Sequence, residues 1–186
     1  MSTIKTTNIT HGSNSGTANM VLAADGGVTF ASAVGLFSSY AIVQDQKSDT
    51  TEGGSATSGS WQKRDLNTEV ADPDGIVSLS NNQFTLAAGN YLLKWTCPGY
   101  KVDRLQSRIY DVTNSAVVGK GTGAFPNSGS AQQDETFGST RVTPTGTTVY
   151  EIQNRVETTN NSVGYGIGCD FGDVEVYSTL EIYKEA

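Results

Sequence analysis

From Tyr40 to the C-terminus the chain is built of short runs in which apolar residues recur at every second position, each run closed by glycine, asparagine, aspartate or proline. A period of two belongs to strands, whose successive side chains point to opposite faces, and not to helices with their 3.6-residue period. In "FTLAAGNYLLKW", Phe84 and Leu86 are in phase on one arm and Tyr91, Leu93 and Trp95 on the other, so the Ala-Ala-Gly-Asn between them reads as the turn of a hairpin. The closing run "VEVYSTLEIYKEA" sets Val174, Val176, Leu180 and Ile182 against Glu175, Thr179 and Glu181. "DPDG", Asp72 to Gly75, is a turn with proline preset at its second position. "RLQSRIYDV", "TFGSTRVTP", "TTVYEIQNRV" and "VGYGIGCDF" read as further strands. Roughly eight to ten strands with turn-rich connections predict an all-β sandwich or closed barrel. The 21 glycines and the abundance of Thr, Ser and Asn agree with that class.

Residues 1 to about 35 have a different texture. "IKTTNITHGSNSGTANMVLAADGGVTF" holds short apolar-polar pieces, and Asp25-Gly26-Gly27 reads as a turn between two strands too short to stand alone. Such a hairpin is marginal in water, so the segment is expected to borrow burial from another chain. The predicted organisation is an N-terminal β module over 1–35 and a head over 36–186, within a length that suits one domain and a short appendage.

The formal net charge is -7, with 12 basic against 19 acidic residues and no basic stripe, which argues against nucleic acid as a partner. No apolar run approaches the ~20 residues of a membrane span, and no signal-like leader opens the chain. A soluble protein made in the cytosol, without membrane insertion, is expected. Cys97 and Cys169 lack metal-binding or redox spacing, and both read as buried free thiols, a disulfide between them being unneeded.

Catalytic constellations are absent from the pattern. The single histidine, His11, lies in polar "THGSNSG" and reads as a surface or interchain residue, which leaves a Ser-His-Asp mechanism without its base. Asp72 with Asp74, and Asp170 with Asp173, could offer oxygens to Ca²⁺, but neither has the regular calcium-loop spacing, and turn capping is the preferred reading. A glycosidase would need paired carboxylates. Glu69 with Asp72 is one candidate; Glu151 and Glu157 share a face but stand about 20 Å apart on an extended strand. "GYGIG" is followed by no helix and so is no phosphate loop; its glycines are expected to permit close backbone approach. No catalytic residue, metal or cofactor is therefore assigned, and the chain is expected not to be an enzyme.

Recognition then falls to loops. Three stand out by length and polarity: 49–60, 121–134 and 157–162. In the second, Phe125 offers a stacking face beside the amides of Asn127, Gln132 and Gln133, the combination a sugar requires. Asn160 and Asn161 offer amides in the third. Phe125 has two open readings, outward as a platform or inward as an anchor. Loops at opposite ends of a sandwich cannot share a site, so the three are not expected to act together.

"FTLAAGNY" continued to Trp95, with an alternating strand at the C-terminus, resembles the trimeric jelly-roll heads of the tumour-necrosis-factor and complement-type superfamily. "YAIVQDQ", "RDLNTEVADPDGIVSLSNNQFTLAAGNYLLK" and "VEVYSTLEIYKEA" look like the C-terminal head domains of tail-fibre proteins of tailed bacteriophages, and "SGTANMVLAADGGVTFA" looks like a short β module of such fibres. The resemblance implies a homotrimeric jelly-roll receptor-binding head on an N-terminal β stem, located in the virion tail. Its partners would be a bacterial surface glycan or protein and, through the stem, other tail proteins. Tyr91, Trp95, Tyr177 and Tyr183 are the expected trimer contacts. A structural virion part and a polysaccharide-degrading enzyme are the alternatives.

Overall fold

The computed structural model describes residues 8–9, 20–22, 27–30 and 36–186. The chain divides into two compact units, Met1–Ser38 with Ala186, and Ser39–Glu185. In the first, β1 (Asn8–Ile9), β2 (Met20–Leu22) and β3 (Val28–Phe30) form a small antiparallel sheet in the order β1-β2-β3. The segment is thus three-stranded rather than a lone hairpin, while the expected turn at Asp25-Gly26 and His11 lie outside the described residues.

The second unit is a two-sheet sandwich without helices among the described residues. Sheet I has the order β11-β10-β13-β8-β7, with β5 also on β13; its strands are β5 (Gln62–Lys63), β7 (Val77–Ser80), β8 (Gln83–Leu86), β10 (Leu105–Asp111), β11 (Ala116–Ala124) and β13 (Thr148–Val156). Sheet II has the order β12-β9-β14-β4-β6, from β4 (Phe37–Lys47), β6 (Thr68–Ala71), β9 (Tyr91–Tyr100), β12 (Gln133–Val142) and β14 (Glu175–Glu185). Neighbours so far apart in sequence are those of a jelly roll, in which the chain passes repeatedly between the two sheets.

The alternation predicts the buried face well. Phe84, Leu86, Leu93, Ile152, Leu180 and Ile182 are fully buried, and the Phe84 and Tyr150 rings stack at 5.5 Å between centroids. It predicts the neighbours less well. Phe84 to Trp95 is no hairpin: β8 pairs with β7 and β13, whereas β9 pairs with β12 and β14 in the other sheet. Residues 87–90 form a corner across the ~10 Å between packed sheets, held by the Gly89 amide donating to the Pro144 carbonyl. The hairpin is one element earlier, where Asn81 and Asn82, at φ 52° and 59°, make the two-residue turn between β7 and β8. Positive φ at both central residues is what a turn matched to strand twist requires, and asparagine tolerates it.

Three further expectations change. Residues 163–174, "VGYGIGCDF" included, carry no strand. Cys97 is buried in the core, its thiol pushed up to about 11 by burial, but Cys169 sits in that loop and is exposed. At the start of β14 the polar phase is the buried one: Glu175 and Tyr177 are covered, while Val174 and Val176 are 55% and 46% exposed. The loop folds over this end, where the amides of Cys169 and Asp170 donate to the Glu175 carboxylate and the Tyr177 hydroxyl donates to the Thr51 carbonyl.

Candidate recognition surface

All three loops gather at one end of the sandwich, contrary to the expectation that they would be separated. Ala56 and Asn160 exchange two backbone hydrogen bonds, and the Gly53 amide donates to the Gly166 carbonyl, zipping 49–60 to 157–168. Gly53 and Gly164 are required there, because a Cβ on either would meet opposing atoms at 2.6 Å. The loop 121–134 joins through the Gln133 side-chain oxygen, which accepts from the Ile167 amide, and through Asp103.

Asp103 binds two loops at once, accepting from the Ser128 amide at 2.9 Å and the Thr158 hydroxyl at 2.5 Å. These bonds, that from Thr158 foremost, hold its carboxyl below the ordinary 3.8. A carboxyl depressed in the folded state contributes its stabilisation above the unfolded value and loses it as pH falls through the folded one. The Ser128 amide resonance is therefore expected to titrate with a midpoint below 3.8. That titration should vanish in Asp103→Asn, and a midpoint at or above the ordinary value would refute the clamp.

The proposed binding residues divide. Phe125 is 49% exposed, so it points outward, and its loop is anchored instead by buried Pro126, whose carbonyl accepts from the Val102 and Asp103 amides. Gln132 and Asn161 are exposed at the same end. Asn127 is exposed but spends its side-chain oxygen on the Gly129 amide, and Gln133 spends its own on Ile167. Asn160 is a structural residue: its amide donates to the Tyr100 carbonyl and its oxygen accepts from Ser162 and Val163. The sequence reading missed Phe171, which is 89% exposed on the same loop as Ile167.

Of the expected trimer contacts, Tyr91 and Trp95 are consumed by the core of their own chain at 1% and 2% exposure, and Tyr177 is covered by the 49–60 loop. Only Tyr183 lies on the outer face of sheet II, where register sets it beside Leu92. Tyr91 and Trp95 are in the apolar phase of a central strand, and that phase is the inward one.

Several of the candidate carboxylates are held by other partners. Asp72 accepts from the Ile76 and Val77 amides, as a turn cap does, and Asp74 accepts from Ser39. Glu151 is held by Gln83 and Gln153, whereas Glu157 is paired with Arg104 at 2.8 Å. Asp170 is brought not to Asp173 but to Asp49 and Glu175, with oxygens within 4.8 Å of one another. These three could hold a hard cation, and backbone amides of the loop already engage Glu175 and Asp49.

A second feature was not legible in the sequence. A groove of about 580 Å³ descends from the loop end along the outer face of sheet I, between Trp61, Gln106, Gly123 and Arg155. Register creates it: Gly123 pairs with Gln106 and Gln106 with Arg155, so three residues remote in sequence form one row across β11, β10 and β13. The Arg108 guanidinium lies 4.1 Å over the Trp61 ring and donates to Gln153 at 2.7 Å.

No protein-family model matches the chain, and no curated protein matches its sequence. Solved structures do resemble it. The Eiger TNF of S. frugiperda superposes with a TM-score of 0.53 at 11% identity, over 79% of this chain and 92% of that one. Murine APRIL at pH 8.0 gives 0.51 at 8% identity, over 78% and 98%. The globular domain of the zebrafish complement 1qA protein gives 0.46 at 12% identity, over 77% and 94%. At such identities the likeness is one of architecture, and the sandwich described above is a TNF-like jelly roll.

Proposed function

We propose that this chain is the receptor-binding head of a bacteriophage tail fibre or tail-tip adhesin, acting as a homotrimer that binds a glycan on the bacterial surface, with residues 1–35 attaching it to other tail proteins. The observation that carries this reading is the gathering of three polar loops, with exposed Phe125 on one of them and exposed Phe171 on the adjoining 163–174 loop, at one end of the β sandwich. Stacking faces among amides suit sugars, and loops on a scaffold are where recognition usually resides. The chain carries out no reaction in this reading. The outer face of sheet II supports trimer formation: Ile42 and Leu92 lie half-buried there, and Phe137 is 52% exposed. Three copies of a weak site gain 10²-fold or more by avidity when they engage together.

The test is binding of fluorescently labelled full-length protein to candidate host cells, before and after removal of surface polysaccharide, with sedimentation equilibrium at micromolar concentration alongside. Binding lost on stripping, by a trimer, is the expected result. A monomer, or failure to bind any strain that the source phage infects, would overturn the reading in favour of a structural virion part.

A further inference from the structure

We propose that the groove on the outer face of sheet I binds an acidic saccharide, a pyranose carrying a carboxylate or phosphate group. This rests on the adhesin reading and narrows it from glycans in general to anionic ones. At about 580 Å³ the groove lies within the range of small-ligand sites. Its platform is preorganised: Arg108 takes one face of the Trp61 indole and is itself fixed by Gln153, so the ring is oriented before a ligand arrives. The part of Trp61 lining the groove is suited to the apolar face of a sugar ring.

Charge sets the class. A chain of net charge -7 repels anions as a whole, yet this groove is lined by Arg104 and Arg155, with Arg108 behind Trp61. Arg104 is neutralised by Glu157 at 2.8 Å, but the exposed Arg155 guanidinium has no hydrogen bond or ion pair among the described residues. A planar fork of free donors matches a carboxylate or phosphate. Beside it in register, exposed Gln106 donates its amide to the Gly121 carbonyl, which leaves its oxygen to accept from a sugar hydroxyl. On the other side of Gln106 the wall is open because residue 123 is glycine: a Cβ there would meet nothing within 4 Å. A larger side chain at 123 would occupy the groove without disturbing the core.

The test uses the full-length protein against immobilised bacterial capsular and lipopolysaccharide glycans, acidic and neutral, with each acidic one also offered carboxyl-reduced and dephosphorylated. Binding to acidic glycans is expected, and its loss after one of the two treatments identifies the anionic group. Arg155→Ser and Gly123→Leu are each expected to weaken binding about 10-fold or more, since a charge-assisted contact or the space for the ring is removed. Unchanged binding in both variants, shown folded by circular dichroism, or binding confined to neutral glycans, would overturn the groove assignment and leave the adhesin reading standing. Binding to no cell and no glycan would overturn the adhesin reading, and this assignment with it.

Discussion

Arg64→Leu is expected to destabilise the jelly roll by ~3–5 kcal/mol, because buried acceptors that the guanidinium satisfies would lose their donor. Arg64 is fully buried, the largest side chain so enclosed among the described residues. Its Nε donates to the Ser178 hydroxyl at 3.0 Å, Nη1 to the Pro98 carbonyl at 3.4 Å and Nη2 to the Tyr165 carbonyl at 3.2 Å, and the guanidinium lies 4.1 Å over the Tyr165 ring. No carboxylate pairs with it directly among the described residues; Asp45 feels its field, although burial, the larger influence, raises the Asp45 carboxyl. The guanidinium is thus solvated by carbonyls and a π face, and leucine would leave those carbonyls buried and unsatisfied at about 1–3 kcal/mol each. Arg64→Lys should recover only part of the loss, because an ammonium cannot span the fork. Urea unfolding measures the difference, and a loss below ~1 kcal/mol would show that the network does not hold the sandwich. Because Arg64 ties Tyr165 to β9 and β14, the same variant is expected to loosen the 163–174 loop and with it the recognition end.

Gly138→Ala is expected to be the next most damaging single change. Gly138 is the register partner of Trp95, and a Cβ there would lie 2.0 Å from Cζ2 of the indole. The ring cannot retreat freely, since its N–H donates to Ser107 at 2.8 Å, the Thr136 hydroxyl closes on the same oxygen, and Gly119 faces it as well. Overpacking of this kind costs ~1–3 kcal/mol, with the upper end expected where the neighbour is an anchored ring. In the Trp95→Leu background the same alanine should cost much less, so a double-mutant cycle reads the contact directly. Additive effects would show that Gly138 is glycine for another reason. The chain has two tryptophans, so in the Trp61→Phe background the fluorescence of Trp95 reports its displacement.

The recognition end shows where a linear reading runs out. The polarity of 121–134 marked Phe125 as a candidate, and its exposure agrees, yet Asn160 carried the same polar signal and is used up inside the loop. An asparagine that binds a ligand and one that pins a turn are identical in sequence. They differ only in whether backbone amides lie within reach. The groove had even less signal: Gly123, Gln106 and Arg155 belong to three strands, and neither their adjacency nor the free guanidinium can be inferred without the register.

What the sequence determined by itself is which side of the strands around the central hydrophobic run faces inward. Phe84, Leu86, Tyr91, Leu93 and Trp95 are all buried as their spacing requires, because alternation is a local property of extended backbone. What only the tertiary structure decided is who lies beside whom. β8 and β9 belong to opposite sheets instead of pairing, three loops meet at one end, and Glu175 and Tyr177 are buried under a returning loop. The physical reason is that a strand offers the same backbone donors and acceptors to any neighbour, so partner choice is settled by long-range packing of the whole sandwich.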